Sequence, residues 1–242
     1  MVRMKWFVRF SLFWLLTLPC GAQAARLAIV IDDLGYQLMP SPLSALPPQI
    51  SISVLPDTPF DQQTARQAHQ EQRDVLLHMP MQPSRSAPLE LTTLTAAMKK
   101  DELQTKLRHA LTRVPGAIGV NNHMGSALTE NPIAMRWVME VLRQQQLGFL
   151  DSRTTPNSVA ERQAQAAHIP ALRRHVFIDH VPTEAFIRRQ LRRAIRQAQK
   201  QDIVIAIGHP HPVTLATITA MLPEMQQAVT LVRLSELFTP TG

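Results

Sequence analysis

Two adjacent aspartates, Asp32 and Asp33, close the apolar run 27–31. Neighbouring carboxylates repel one another, and burial deepens that cost unless a proton or a cation lies between them. Asp and neutral His are good ligands for zinc and similar ions. The pair therefore suggests metal-assisted hydrolysis, in which a metal acidifies a water and polarises a carbonyl while a carboxylate takes up the proton. Candidate partners fall at the ends of other apolar runs. His78 follows 75–77, Asn121-Asn122-His123 follows 117–120, Asp151-Ser152-Arg153 follows 148–150, Asp179-His180 follows 175–178, and His209 follows 203–207. Side chains of a strand alternate faces, so Asp32 and Asp33 share one site only if the strand ends or turns between them.

These residues need elements that bring them to one rim. The runs just named, with 50–55 and 229–232, read as strands. Helical spacing predicts helices over 101–113, 131–146, 157–167, 183–200 and 213–221, the second opening on Asn131 as N-cap with Pro132 at the first helical position. Strands alternating with helices imply an α/β fold with a mainly parallel sheet and helices outside it, either closed into a barrel or left open. No linker or internal repeat interrupts 25–242, which reads as a single domain. In such folds the chemistry collects at the carboxyl ends of the strands.

The chain has 242 residues, 45% of them apolar and 18% charged, as in ordinary globular proteins. Residues 1–24 are read apart from the domain. Arg3, Lys5 and Arg9 precede an apolar stretch over 10–18 and the small-residue site Ala22-Gln23-Ala24. This predicts a secretory signal peptide cut before Ala25, and hence a periplasmic protein, with a retained N-terminal anchor as the alternative. The one cysteine, Cys20, lies in that segment behind Pro19, a poor lipidation context, so the mature chain has neither thiol nor disulfide. Removing the three basic residues lowers the formal charge from +7 to +4. The helix over 183–200 concentrates much of the remaining charge. Its Arg188, Arg192 and Arg196 form a solvated face or a peripheral contact with a membrane or anionic polymer. Phosphate-binding, dinucleotide and serine-hydrolase motifs are absent, and no nucleic-acid partner is expected.

Taken together, Ile29-Val30-Ile31-Asp32-Asp33-Leu34-Gly35, His78-Met79-Pro80-Met81-Gln82-Pro83, Gly119-Val120-Asn121-Asn122-His123-Met124-Gly125-Ser126, Phe149-Leu150-Asp151-Ser152-Arg153-Thr154 and Ala206-Ile207-Gly208-His209 resemble the divergent polysaccharide deacetylase family. The resemblance implies a distorted (β/α) barrel and removal of N-acetyl groups from an envelope glycan such as peptidoglycan, with a non-catalytic glycan-binding or envelope-assembly protein on the same scaffold as the alternative. It implies a divalent metal, zinc first. Carried over, Asp32 is the general base and Asp33 a metal ligand. The His-x-x-x-His ligand motif of ordinary deacetylases is missing. His123 matches it in part, and the other histidine is expected to be His209, with His78 as the alternative ligand. If His78 is the ligand, His209 becomes the general acid. Asp151 is expected to orient a histidine at the catalytic site, and Arg153 and Asn122 to bind substrate.

Overall fold

The computed structural model describes residues 25–238. The expected signal peptide lies outside them. Nine strands and seven α-helices alternate along this stretch. They are β1 (Arg26–Leu34), α1 (Ser41–Ser44), β2 (Ser51–Val54), α2 (Asp61–Gln70), β3 (Val75–Met81), α3 (Lys100–Arg113), β4 (Gly119–Met124) and α4 (Pro132–Gln144). There follow β5 (Gly148–Asp151), α5 (Ala160–Ala166), β6 (Ala171–Arg173), β7 (Val176–Phe177), α6 (Glu184–Gln201), β8 (Ile203–Gly208), α7 (Pro212–Ala228) and β9 (Thr230–Leu231).

Every recorded strand pair is parallel. The sheet runs β6-β5-β4-β3-β2-β1-β8-β7, and β9 pairs with the start of β1. The two ends of this order, β6 and β7, are separated in the chain by Arg174 and His175 alone, so the sheet must curl until its edges meet. One extended stretch pairs with β5 in its first half and with β8 in its second. The result is a single-domain α/β fold whose parallel sheet is curled into a distorted, incompletely bonded barrel.

Two apolar layers hold it. Leu27, Ile29 and Ile31 of β1 face outward into the large core beneath the helices, with Leu77, Val120, Phe149 and Val204. Ala28 and Val30 face inward with Leu76, Leu150, Ile205 and Ile207. Val232, Leu234, Leu237 and Phe238 close that inner layer, and the Phe238 ring lies against Gly119 and Gly148, where a Cβ on Gly148 would collide with it. The apolar plug at one end leaves the carboxyl ends of the strands to form a polar rim at the other.

Several elements depart from the sequence expectation. α2 carries only Ala65, Ala68, Thr64 and Asp61 as its buried residues, too weak an apolar period to announce a helix. β6 is three residues long. α7 continues past the expected end at 221, through Pro223 to Ala228, with Met225 still buried. β3, β4 and β5 extend over the polar residues that the sequence placed after them. Asn131 caps α4 as expected, accepting from the backbone N–H groups of Ile133 and Ala134 at 3.0 and 3.1 Å. On α6, Arg188 is paired with Glu184 at 2.7 Å and Arg192 with Glu224 at 2.9 Å. Two of the three arginines expected to meet a partner thus already have acidic neighbours. No helix of the described residues is long and apolar enough to cross a membrane.

Candidate metal centre

Asp32 continues the inward series of Ala28 and Val30, and it is buried. Strand alternation would send Asp33 to the opposite face. It does not go there. Asp33 stands at φ 60°, and the β1–β2 register slips between Ile31 and Leu34. A single residue in the left-handed region, which Asp tolerates better than most side chains, turns both carboxylates into the same rim.

His78 lies two residues beyond the inward Leu76 on β3 and is paired in register with Asn121 of β4. Asn121 Nδ2 donates to both oxygens of Asp32 at 3.0 Å. The amide oxygen is thereby aimed at His78, whose Nδ1–H donates to it at 2.9 Å. The Ser53 hydroxyl donates to the same oxygen. These bonds settle the tautomer of His78. Nδ1 keeps its hydrogen on Asn121, and Nε2 is the nitrogen turned to the rim, where its lone pair becomes available once its proton leaves.

Three such atoms meet there. Asp33 Oδ1 is 3.0 Å from His78 Nε2 and 2.9 Å from His123 Nδ1, and the two ring nitrogens are 3.2 Å apart. Atoms rich in lone pairs do not crowd like this without a proton or a cation between them. One carboxylate and two imidazoles are also a donor set that suits zinc, so the residues present fit a divalent metal. The electrostatics agree. Burial works against the charged form of His78, but the Asp32 and Asp33 carboxylates outweigh it and push its pKa up to about 9. Burial would raise the Asp33 carboxyl, yet the hydrogen bonds to His123 and His78 hold it well below the usual carboxylate range. Asp32 moves the other way. Burial, with Asp33 beside it, raises its pKa against the opposing pull of His78, His209 and Asn121.

His209, in the turn after β8, faces this cluster from across the rim. Its Nδ1–H donates to Asp179 Oδ1 at 3.0 Å and its backbone N–H to Asp179 Oδ2 at 2.7 Å. Thr214 also donates to Oδ2, at 2.9 Å. Nε2 is left pointing inward, 3.6 Å from Asp33 Oδ2. Burial lowers the pKa of His209, but the hydrogen bond to Asp179 and the nearby Asp33 more than reverse this and raise it. Asp179, His209 and His211 also form a possible metal-ligand group. Asp179 accepts three hydrogen bonds, two of them from His209, and so holds that residue in place. A cavity of about 370 Å³ opens over Asp32, Asp33, His78, His123 and His209 and is walled by Arg153, Arg174 and Phe177. A second cleft of about 360 Å³, with Tyr36 and Pro212 among its walls, shares Asp33 and His209 with the first.

Set against the sequence reading, Asp32, Asp33, His123 and His209 do come together, and so does His78. Of the expected ligand trio Asp33, His123 and His209, the first two converge, and the third converging atom belongs to the alternative ligand, His78, because β3 lies directly beside β4, while His209 Nε2 stands off on the other side, 3.6 Å from Asp33 Oδ2. The expectation that Asp151 orients a histidine is also corrected. Phe149 points into the outer core, so Asp151, two residues on, points outward as well. There it accepts from Ser158 Oγ at 2.7 Å and from the Arg153 backbone N–H at 2.8 Å. The aspartate that orients a histidine is Asp179. Asn122 borders the cavity, but its amide ties β4 to the loop after β5, accepting from Ser152 N–H at 2.9 Å and donating to Met124 O at 2.7 Å. Arg153 also borders it, with its guanidinium on the carbonyls of Pro156 and Ser158 at 3.0 and 3.4 Å. Arg174 was not foreseen. It bonds the carbonyls of Ser152 and Arg153 at 2.6 and 2.8 Å and lies over the Phe177 ring. An arginine at an edge between two short strands carries no sequence signal.

Comparison with known proteins bears on this geometry. The family model of divergent polysaccharide deacetylases matches residues 29–238. The chain is 43% identical over 224 residues to the uncharacterized protein YibQ of Escherichia coli K12, covering 92% of this chain and 70% of that protein. It is 39% identical over 215 residues to an uncharacterized protein of Haemophilus influenzae Rd, covering 88% of this chain and 77% of that one. Among solved structures, an uncharacterized protein of Agrobacterium tumefaciens C58 superposes with a TM-score of 0.83 at 25% identity, covering 90% of each chain.

Proposed function

The chain belongs to the divergent polysaccharide deacetylase family, and from that premise we propose that it is a periplasmic metal-dependent hydrolase that removes an N-acetyl group from an envelope carbohydrate. The observation that carries this reading is the meeting of Asp33 Oδ1, His78 Nε2 and His123 Nδ1 between two further proton-handling groups, Asp32 and His209. Asp33, His78 and His123 would hold a divalent ion, zinc first. When bound, that ion would acidify a water and polarise the acyl oxygen.

The chain's own residues divide the proton work. Asp32 accepts the proton of the attacking water. Burial raises its basicity, and Asn121 grips both its oxygens, so the carboxylate is positioned before substrate arrives. His209 stands opposite with Nε2 inward and Nδ1 fixed by Asp179, the arrangement of a general acid that protonates the leaving amine. The walls at Arg153, Arg174 and Phe177 offer cationic and aromatic surface to a sugar and its substituents. Peptidoglycan is the first substrate to try, because the leader-like residues 1–24 argue for the envelope.

The test is acetate release from N-acetylated glycans, peptidoglycan first, by protein loaded with zinc. Asp32→Asn should reduce release by about 10²–10⁴-fold while leaving bound zinc unchanged. If the wild-type protein binds zinc and releases no acetate from any glycan offered, the hydrolase reading fails and a glycan-binding scaffold replaces it.

A further inference from the structure

The segment between β3 and α3 folds back over the metal centre with its polarity inverted. Leu89 and Leu91 are 48% and 96% exposed, whereas the side chain of Glu90 between them is only 19% exposed. Glu90 Oε2 is buried without a geometric hydrogen bond, with Tyr36 beside the carboxylate. Two leucines in water around a partly buried acid is costly in both directions. The segment is also tied down. Its base is closed by the Met81–Leu94 bridge, one shoulder by the Ser84 backbone N–H donating to Ser126 Oγ at 2.8 Å, and the other by Lys106 Nζ donating to Leu91 O at 2.8 Å.

The inward carboxylate meets His123. Glu90 Oε1 lies 3.5 Å from His123 Nε2, on the edge of the ring opposite to Nδ1, which faces Asp33 at 2.9 Å. We propose that Glu90 is the positioning residue of His123, holding the hydrogen on Nε2 and so turning the Nδ1 lone pair to the metal. This rests on the metal-centre reading above and adds a residue to it. The role mirrors that of Asn121, which holds the hydrogen on Nδ1 of His78 and frees Nε2. Each histidine of the centre thus has a dedicated partner on its far nitrogen, one an amide and the other a carboxylate. Such outer partners set ring orientation and ligand basicity. A cation on the far side of the ring also gives the buried Glu90 oxygen a compensating charge.

The test is zinc titration of the purified protein. Glu90→Ala should weaken zinc binding by about 10–100-fold. Glu90→Gln, whose amide oxygen can still accept, should recover most of the lost affinity. Leu91→Ala, in the same loop, should leave the affinity unchanged and controls for loop disruption. If Glu90→Ala binds zinc as the wild type does, or if Glu90→Gln is as weak as Glu90→Ala, the role of Glu90 is overturned and the metal centre stands. If the wild type binds no zinc, both are overturned.

Discussion

Asp32 and Asp33 are consecutive, yet both stand beside the same nitrogen, with Asp33 Oδ1 3.0 Å and Asp32 Oδ2 3.7 Å from His78 Nε2. The left-handed backbone at Asp33, φ 60°, makes this possible. Asn accepts that conformation readily, so Asp33→Asn should fold while losing the anionic ligand. Zinc affinity by isothermal titration should drop by at least about 100-fold, the upper end of what even an outer partner contributes. Asp33→Val should in addition be destabilised by about 1–3 kcal/mol in chemical denaturation, because a β-branched residue resists positive φ.

Asn121 links three functional groups through one amide. Asn121→Ala leaves the buried Nδ1–H of His78 without its acceptor, a loss of about 1–3 kcal/mol in denaturant stability. It also frees the ring to turn or to change tautomer. Zinc binding should weaken by about 10–100-fold. A titration showing unchanged affinity would remove Asn121 from the centre.

The metal-free protein should carry a pH signature from His78. Its folded-state pKa of about 9 lies above its ordinary 6.5. The stability this contributes is fully present below about pH 6.5 and is lost as pH rises through about 9. Thermal melting of metal-free protein should therefore fall across that window. Zinc takes the place of the shared proton, so the loaded protein should not show this fall. The same exchange makes zinc affinity rise with pH over that range.

On the proposed assignment, His209 and Asp179 would set the alkaline side of activity. A general acid must be protonated, and the pKa of His209 is held above the ordinary 6.5 against burial, chiefly by the Asp179 hydrogen bond. Asp179→Asn weakens that support. In a pH profile of kcat/KM for acetate release, the alkaline limb should move to lower pH while zinc content stays unchanged. A limb that does not move would mean that His209 is not the acid.

The sequence by itself determined the parallel α/β plan and the rim on which the chemistry sits. Apolar runs followed by Asp, Asn or His recur along the chain, and Asp32, Asp33, His78, His123 and His209 were all in view from their places at the ends of those runs. It did not determine which of them touch. Strands buried on both faces read as continuous apolar runs, so 27–31 and 148–150 hold no alternation from which to tell inside from outside. Only the curled sheet sends Asp32 inward and Asp151 outward. Only the backbone turn at Asp33 overrides the strand period. The choice between His78 and His209 depends on strand order. β3 and β4 are paired neighbours, whereas β8 joins the sheet on the far side of β1 and brings His209 with its own aspartate. Glu90 was hidden for a related reason. A lone acid between two leucines in a proline-rich loop has no local pattern, and its partner His123 comes from a different strand, so only the folded chain could pair them.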